Sequence, residues 1–312
     1  MQQKTLVAIA GPTGVGKTAL CLSLASRWKC DVVNCDSRQI YRDLPVGTAA
    51  PTEEERKRVK HWFVATHGLD EVYNAGEYER DATALLERLA AGHTEDSPFA
   101  VLSGGSMMYM DAVCKGLDDI PHVPEALREE IKRELAERGM EWLQAEVEQA
   151  DPDYWRIVDR QNPQRLIHCL EVTRHTGTPY SSFRRRRQAE RPWRTVKIGL
   201  SCPREELYER INRRVDKMMA DGLEAEARRA LDQAAGGGTL PNSLRTVGYN
   251  ELVRYFRGEW TLEEAVAMIK QNTRRYAKRQ MTWLRADKDL IWLDARLPEE
   301  QLIDEIEEKT RQ

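Results

Sequence analysis

A glycine-rich turn near the start of the 312-residue chain constrains its fold more than any other feature. Residues Gly11–Thr18 match the pattern G-x-x-x-x-G-K-[ST], with the apolar run Leu6–Ala10 before them and a helical pattern over Lys17–Arg27 after them. In parallel α/β proteins, this order of strand, loop and helix directs backbone N–H groups and a helix N-terminus at an anion. The sequence therefore predicts a phosphate or diphosphate site, and not a plain glycine turn.

Every residue of this loop is a candidate for diphosphate binding: Gly11, Pro12, Thr13, Gly14, Val15, Gly16, Lys17 and Thr18. The Lys17 ammonium would neutralise phosphate oxygens, and the Thr18 hydroxyl would be a ligand of Mg²⁺. The motif does not identify the molecule that carries the phosphates.

Further strand and helix patterns alternate along the first third of the chain. Asp31–Cys35 and Phe99–Ser103 are predicted strands, and Ala75–Ala91 is a predicted helix. Such alternation is typical of βαβ units, in which ligands bind at the carboxyl ends of parallel strands. We therefore expect an α/β fold with a parallel sheet flanked by helices, as in P-loop NTPases.

The pattern becomes wholly helical after Gly116 and returns to alternation near residue 191. We expect a core domain over residues 1–116 and 191–312, and an all-helical insertion domain over residues 117–190. The predicted later elements are helices over Val123–Ala150, Asp151–Arg174, Arg204–Asp232 and Leu262–Arg285, and strands over Thr195–Leu200 and Leu290–Leu293.

Asp36 directly follows the second predicted strand, at the same sheet edge as the glycine-rich loop. A carboxylate there could act as a general base or bind Mg²⁺, although an Asp after a strand also commonly forms an Asx turn or caps a helix. The turn Ser103–Ser106 is likewise either a plain turn or a loop that contacts a ligand. Arg210 and Arg214 are four residues apart on one predicted helix face and could point at the same anion.

The net charge of −3 argues against a generally basic nucleic-acid binder, but the basic residues are clustered. Lys270–Arg285 has six basic residues, no acidic one, and interleaved Tyr276 and Trp283. This mixture suits a nucleic-acid backbone, although a solvated helix face is the alternative. No apolar run approaches the roughly 18 residues that a membrane helix needs, and no signal peptide is evident, so we expect no membrane and a cytoplasmic location.

The order of motifs closely resembles that of one family, the tRNA dimethylallyltransferases, also called tRNA isopentenyltransferases. The matching segments span nearly the whole chain: Gly11–Thr18, Asp36–Tyr41, Gly47–Ala49 with Pro51, Gly104–Tyr109, Asn162–Leu166 with Leu170–Arg174, Thr246–Tyr249 and Ala277–Trp283. The resemblance implies transfer of a dimethylallyl group from dimethylallyl diphosphate to N6 of the adenosine immediately 3′ of the anticodon, in tRNAs that read U-starting codons.

The resemblance also implies roles for single residues. Asp36 would be the general base, and Lys17 and Arg214 would stabilise the leaving diphosphate together with Mg²⁺ at Thr18. The tRNA-contacting positions of the family correspond to Asp36, Ser37, Arg38, Gln39, Ser106, Arg128, Gln164, Arg165, Leu166, Ile167, His168, Arg245, Thr246, Val247, Gly248, Tyr249 and Asn250. We expect a monomer whose helical insertion grips the anticodon stem-loop, with Arg184–Arg187 as phosphate contacts.

The chain departs from the family pattern at several positions. Ala50 replaces a common Lys, Lys60-His61 replaces a pair of histidines, His168 and Asn250 stand where Arg is common, and Ser106 replaces Thr. These changes concern tRNA contacts and leave the loop, Asp36 and Arg214 intact.

Three other functions fit part of the pattern. An isopentenyltransferase acting on free adenine nucleotides shares the loop, Asp36 and the sheet, but it has no stem-loop to grip. An ATP-dependent P-loop kinase would need an apolar strand ending in an Asp for Mg²⁺, whereas Phe99–Ser103 ends in Ser-Gly-Gly. A non-enzymatic RNA-binding protein would not need the intact Lys17-Thr18 pair.

Overall fold

The computed structural model describes residues 4–185, 189–234 and 240–311. The chain divides into two compact units. The first comprises Met1–Cys114 and Glu190–Gln312, and the second comprises Lys115–Ala189.

A six-stranded, fully parallel sheet forms the centre of the first unit. Its strands are Thr5–Ala10 (β1), Asp31–Asn34 (β2), His61–Trp62 (β3), Ala100–Ser103 (β4), Arg194–Ser201 (β5) and Ile291–Asp294 (β6). Their spatial order is β3-β2-β4-β1-β5-β6. The predicted α/β fold is confirmed, because β1 lies in the interior of a parallel sheet with helices packed on it.

Helices connect and flank the strands. They are Lys17–Trp28 (α1), Pro45–Thr48 (α2), Glu53–Arg58 (α3), Ala75–Gly92 (α4), Met107–Lys115 (α5), Glu125–Ala150 (α6), Pro152–Trp155 (α7), Pro163–Thr176 (α8), Arg204–Ala220 (α9), Leu223–Ala234 (α10), Tyr249–Phe256 (α11), Leu262–Arg285 (α12) and Glu299–Arg311 (α13). No helix among the described residues is long and apolar enough to cross a membrane.

The position of β1 inside the sheet explains why its sequence is a continuous apolar run. Val7 and Ile9 pack into a core with α1, whereas Leu6 and Ala8 pack into a second core on the opposite face of the sheet. Side chains of a strand alternate between faces, so a strand covered on both faces is apolar throughout. The carboxyl end of β1 then delivers Gly11 directly into the glycine-rich loop.

The structure corrects several predicted elements. The single helix predicted over Arg204–Asp232 is two helices, α9 and α10, because Gly222 adopts a φ of 97° that a continuing helix does not allow. The predicted helix Asp151–Arg174 is likewise divided into α7 and α8, and the Asn162 side chain caps the start of α8. Strand β3 and helices α2, α3, α5, α11 and α13 were not predicted.

The second unit is helical and has its own core. Helix α6 is kinked at Gly139, which has a φ of 82°, and it packs along α8. Ile131, Leu143 and Leu166 are among the fully buried side chains of this core.

Candidate active site

A cavity of about 330 Å³ opens at the carboxyl edge of the sheet in the first unit. This volume lies within the usual range for small-molecule sites, about 300–1,000 Å³. The turns that follow β1, β2 and β4 all contribute to its lining, and helices α9 and α12 supply further residues. Because three neighbouring strands end here, residues far apart in the sequence meet at one place.

The glycine-rich loop forms one wall of the cavity. Gly14 and Gly16 have φ angles of 83° and 110°, which side-chain-bearing residues rarely adopt. The buried Val15 donates its N–H to the Pro12 carbonyl, so that N–H serves the loop itself. Gly14 and Gly16 line the cavity, as do Lys17 and Thr18 at the start of α1, where helix N–H groups lack partners within the helix.

Lys17 is anchored to the loop that precedes it. Its Nζ donates to the carbonyl oxygens of Gly11 at 2.8 Å and Pro12 at 3.0 Å. Burial, aided by the nearby Arg214 charge and opposed by Asp36, lowers the pKa of Lys17 to about 8. Lys17 and Arg214 thus give the cavity two cationic side chains near the carboxylate of Asp36, an excess of positive charge that favours binding of a polyanion.

Arg214 and Arg210 both line the cavity but are differently engaged. Arg210 donates to the Glu206 carboxylate and, at 3.3 Å, to the Val15 carbonyl. Among the described residues, no hydrogen bond or ion pair is formed by Arg214. Burial lowers the pKa of Arg214, and attraction from Asp36 opposes this effect. Of the two arginines, Arg214 is therefore the one whose donors remain available to a ligand.

Asp36 lies opposite the loop, just past the end of β2. Its Oδ1 accepts the N–H of Arg38 at 2.8 Å and that of Gln39 at 3.3 Å, and its Oδ2 accepts the N–H of Gly105 at 3.2 Å. The Asx-turn alternative is thus realised, but it does not compete with a role in the site. The same carboxylate lines the cavity, and the turn holds it there.

Two glycines after β4 make room for Asp36. A Cβ on Gly104 would lie 2.3 Å from the Cys35 carbonyl carbon, and a Cβ on Gly105 would lie 2.5 Å from Asp36 Oδ2. The first neighbour is backbone and the second is the candidate base itself. The predicted turn Ser103–Ser106 therefore packs directly against Asp36.

Two residues of α12 complete the cavity and were not singled out from the sequence for this role. Gln280 Nε2 and the Tyr276 hydroxyl each donate to the Gly105 carbonyl at 2.8 Å. Gln280 Oε1 also accepts the N–H of Thr13 at 2.9 Å. Gln280 falls within the matching segment Ala277–Trp283, but the sequence signal for a shared position was the spacing of four residues, which places both side chains on one face of a helix.

Several residues predicted to contact tRNA lie near the cavity, with Ser37 beside Asp36. Arg38 donates to the Asn242 carbonyl at 2.7 Å, and Gln39 donates to the carbonyls of Thr48 and Ala49 at 3.2 and 3.1 Å. Ser106 is half-buried at the start of α5. Of this group, Asp36 and Gln39 line the cavity.

The predicted tRNA-contacting segment from residue 245 to residue 250 is only partly accessible. Arg245 and Asn250 are exposed, Thr246 and Val247 are half-buried, and Gly248 is buried. Tyr249 is also buried, and its hydroxyl donates to Glu226 at 2.6 Å. Glu226 accepts the N–H groups of Val46 and Gly47 as well, each at 2.8 Å. Tyr249 therefore supports helix α2 at Gly47 through Glu226, and it is buried away from the surface in this structure.

The remaining predicted tRNA contacts lie in the helical unit. Gln164 and Arg165 are exposed, whereas Leu166 and Ile167 are in the core. The buried Glu171 carboxylate accepts from Arg128 at 2.7 and 2.5 Å and binds His168 Nδ1 at 2.7 Å.

The predicted phosphate contacts Arg184–Arg187 are only partly described. Arg184 lies over the Tyr154 ring at 5.2 Å, and Arg186 and Arg187 fall outside the described residues.

At Lys60-His61, where the family pattern has a pair of histidines, the histidine of this chain lines the cavity. His61 Nδ1 lies 2.8 Å from the Val59 carbonyl, and burial lowers its pKa. The Lys60 ammonium lies over the Trp62 ring at 3.8 Å and does not line the cavity.

Comparison with known proteins gives a consistent result. The profile of the IPP transferase family matches residues 39–287. The tRNA dimethylallyltransferase 1 of Phocaeicola vulgatus is 51% identical over 288 residues, which cover 92% of this chain and 93% of that protein. The tRNA dimethylallyltransferase 1 of Bacteroides thetaiotaomicron is 49% identical over 92% of this chain and 91% of its own length. Among solved structures, the full-length tRNA isopentenylpyrophosphate transferase of Bacillus halodurans matches with a TM-score of 0.69 and 34% identity, and 99% of each chain is covered.

Proposed function

The chain belongs to the IPP transferase family, and from that premise we propose that it transfers the dimethylallyl group of dimethylallyl diphosphate to N6 of the adenosine immediately 3′ of the anticodon. The acceptors would be tRNAs that read codons beginning with U, and diphosphate would be released. As a family member, the protein is a prenyl-transferring enzyme that acts on tRNA. One observation carries the detailed proposal: Lys17, Arg214 and Asp36 line the same cavity.

The cationic side of the cavity suits a leaving diphosphate. As the allylic C–O bond breaks, its electron pair moves to a diphosphate oxygen and negative charge accumulates there. The loop N–H groups, Lys17 and Arg214 would stabilise that charge with little reorganisation, because they belong to the wall of one cavity. A ligand oxygen would also satisfy the free donors of Arg214.

Asp36 suits the acceptor side. The N6 amine of adenine is a poor nucleophile, because its lone pair is delocalised into the ring. As the new N–C bond forms, the amine proton would pass to the Asp36 carboxylate. The three N–H donors that hold this carboxylate keep it oriented toward the cavity. Adenine would have to leave its stack to reach the buried carbon.

Thr18 suits Mg²⁺ as a single protein ligand. Its side chain is exposed in the cavity, and no group of three His, Cys, Asp or Glu residues that could hold a metal occurs within the described parts of the chain. Mg²⁺ commonly binds through few protein ligands together with substrate phosphates and water. When bound, the ion would neutralise diphosphate charge.

The test is a transfer assay with Mg²⁺ and radiolabelled dimethylallyl diphosphate. Parallel reactions would contain an unmodified tRNA that reads a U-starting codon, the same tRNA with G in place of the adenosine 3′ of the anticodon, AMP, and ADP. We expect label on the first tRNA alone. Label on AMP or ADP would identify an enzyme that acts on free nucleotides. An absence of label in every reaction would contradict the proposal and favour ATP as the ligand of the glycine-rich loop.

A further inference from the structure

Gln280 is a buried amide to which the chemistry above gives no role. Its side chain is 3% exposed and borders the cavity from α12. Burying an amide is unfavourable unless its hydrogen bonds are made inside the protein. Its partners therefore indicate what the residue does.

The orientation of this amide follows from the chemistry of its two partners. The Thr13 N–H can only donate, so it must meet Oε1, at 2.9 Å. The Gly105 carbonyl can only accept, so it must meet Nε2, at 2.8 Å. Neither bond would survive a flip of the amide, and a carboxylate could make only the first.

These two bonds join the two halves of the site. Thr13 belongs to the glycine-rich loop, which would bind the diphosphate. Gly105 holds Asp36, because its N–H donates to Asp36 Oδ2 at 3.2 Å. One side chain thus connects the loop that would bind the leaving group to the turn that holds the base.

Tyr276 strengthens one end of this connection. It lies one helical turn before Gln280, and its hydroxyl donates to the same Gly105 carbonyl at 2.8 Å. The two side chains therefore share one acceptor. Only Gln280 also reaches the glycine-rich loop.

We propose that Gln280 is a positioning residue that holds the glycine-rich loop and the Asp36 turn in register, so that the allylic carbon and the base meet at a fixed separation. Its amide touches neither the transferred group nor the moving proton in this mechanism. The inference rests on the proposed function, because it assigns the leaving group to one half of the site and the base to the other.

The test compares Gln280→Glu and Gln280→Leu in single-turnover transfer to tRNA over a range of dimethylallyl diphosphate concentrations. Gln280→Leu removes both bonds, so it should slow transfer by about 10²-fold, as expected for a misplacement of about 1 Å, and should raise the donor concentration for half-maximal rate. Gln280→Glu keeps the acceptor for Thr13. The dimethylallyl diphosphate concentration that gives half the maximal rate should therefore stay near that of the unsubstituted protein, while transfer is still slowed.

Tyr276→Phe provides a graded comparison. It should slow transfer less than Gln280→Glu, because Gln280 still donates to the Gly105 carbonyl. The double variant Gln280→Glu/Tyr276→Phe should be slower than the product of the single effects predicts, because it removes both donors to one carbonyl. Gln233→Leu and Gln233→Glu are the matched controls, because Gln233 is exposed on α10 and outside the cavity lining, and they should transfer at the normal rate.

The rate constant and the amplitude distinguish positioning from a merely structural role. A loss of amplitude with an unchanged rate constant and donor dependence would mean that Gln280 only keeps molecules folded, and would overturn the inference. Weakened tRNA binding that accounts for the whole loss of rate would also overturn it. If Gln280→Leu does not fold, the single-turnover rate constant of Gln280→Glu, whose side chain has nearly the same size, still tests the inference. Absence of transfer by the unsubstituted protein would instead refute the proposed function.

Discussion

The carboxylate of Asp36 serves as the centre of a turn and as a wall of the cavity at once. Asp36→Asn keeps an oxygen for the N–H groups of Arg38 and Gln39 but cannot take up a proton. We expect turnover to fall by about 10²–10⁴-fold, the usual contribution of a general base, while tRNA affinity is retained. Single-turnover kinetics and a tRNA binding assay measure the two quantities.

Asp70→Asn is the matched control for this substitution, because Asp70 is exposed and lies outside the cavity lining. It should leave turnover unchanged. Near-normal turnover of the Asp36→Asn variant would remove Asp36 as the base.

The charge of Lys17 predicts a pH dependence. Its pKa is lowered to about 8, so its ammonium is lost as the pH rises through that value in the donor-free protein. Affinity for inorganic diphosphate, and kcat/KM for the donor, should therefore decline above about pH 8. Lys17→Arg stays protonated throughout this range and should show no such decline in diphosphate affinity. Isothermal titration calorimetry from pH 7 to pH 9.5 measures it.

The exposed Lys29→Arg is the control and should keep the decline seen in the unsubstituted protein. A decline that persists unchanged in Lys17→Arg would assign the titration to another group.

Single residues were predictable where a local pattern carries them. Lys17 and Thr18 follow from the spacing of the glycine-rich loop, and Asp36 follows from its place after a strand. The role of Gln280 did not follow from the matching segment Ala277–Trp283 that contains it, because its partner Thr13 is 267 residues away and a short motif does not record such a contact. The internal bond of Tyr249 to Glu226 was not predictable for a related reason, because the two residues are 23 positions apart on different helices.

At the scale of elements, the turn after β4 limits where Asp36 can lie. Gly105→Ala would place a methyl group 2.5 Å from Asp36 Oδ2, so the carboxylate must shift. We expect turnover to fall on the order of 10²-fold, as for a displacement of about 1 Å, with a normal fold by circular dichroism. Gly92→Ala is the matched control, because its added Cβ meets nothing within 4 Å. Equal turnover of the two variants would contradict a tight packing of this turn on the base.

The elements that were predicted best show either a continuous apolar run, as in β1, or a sustained helical period, as in α1, α4 and α12. Strand β1 and helices α1, α4 and α12 end within one residue of their predicted bounds. The break at Gly222 was missed because the apolar spacing of α9 continues into α10. Strand β3 was missed because its two residues, His61 and Trp62, are too short a run to show any period.

At the scale of the whole molecule, a net charge of −3 has to be reconciled with binding to a polyanion. The exposed Arg275, Lys278 and Arg279 lie on α12, whereas acidic residues predominate in α13. We expect tRNA affinity to fall steeply between 50 and 200 mM KCl, because phosphate contacts release counterions. Lys278→Gln/Arg279→Gln should reduce the slope of log affinity against log salt by about 1 to 2.

Lys309→Gln, on α13, is the control and should leave the slope unchanged. Filter binding over the salt series gives both slopes. An unaltered slope in the double variant would remove the outer face of α12 from the tRNA-binding surface.

The position of β4 between β1 and β2 has one further consequence. The glycine-rich loop leaves β1 and Asp36 follows β2, so their strand ends are two strand spacings apart, roughly 9.5 Å. That interval is determined by main-chain hydrogen bonds, which substitutions of side chains leave in place. In the proposed mechanism, the sheet backbone thus sets the separation between the leaving group and the acceptor. Side-chain substitutions at either strand end would then change the chemistry there without changing that separation.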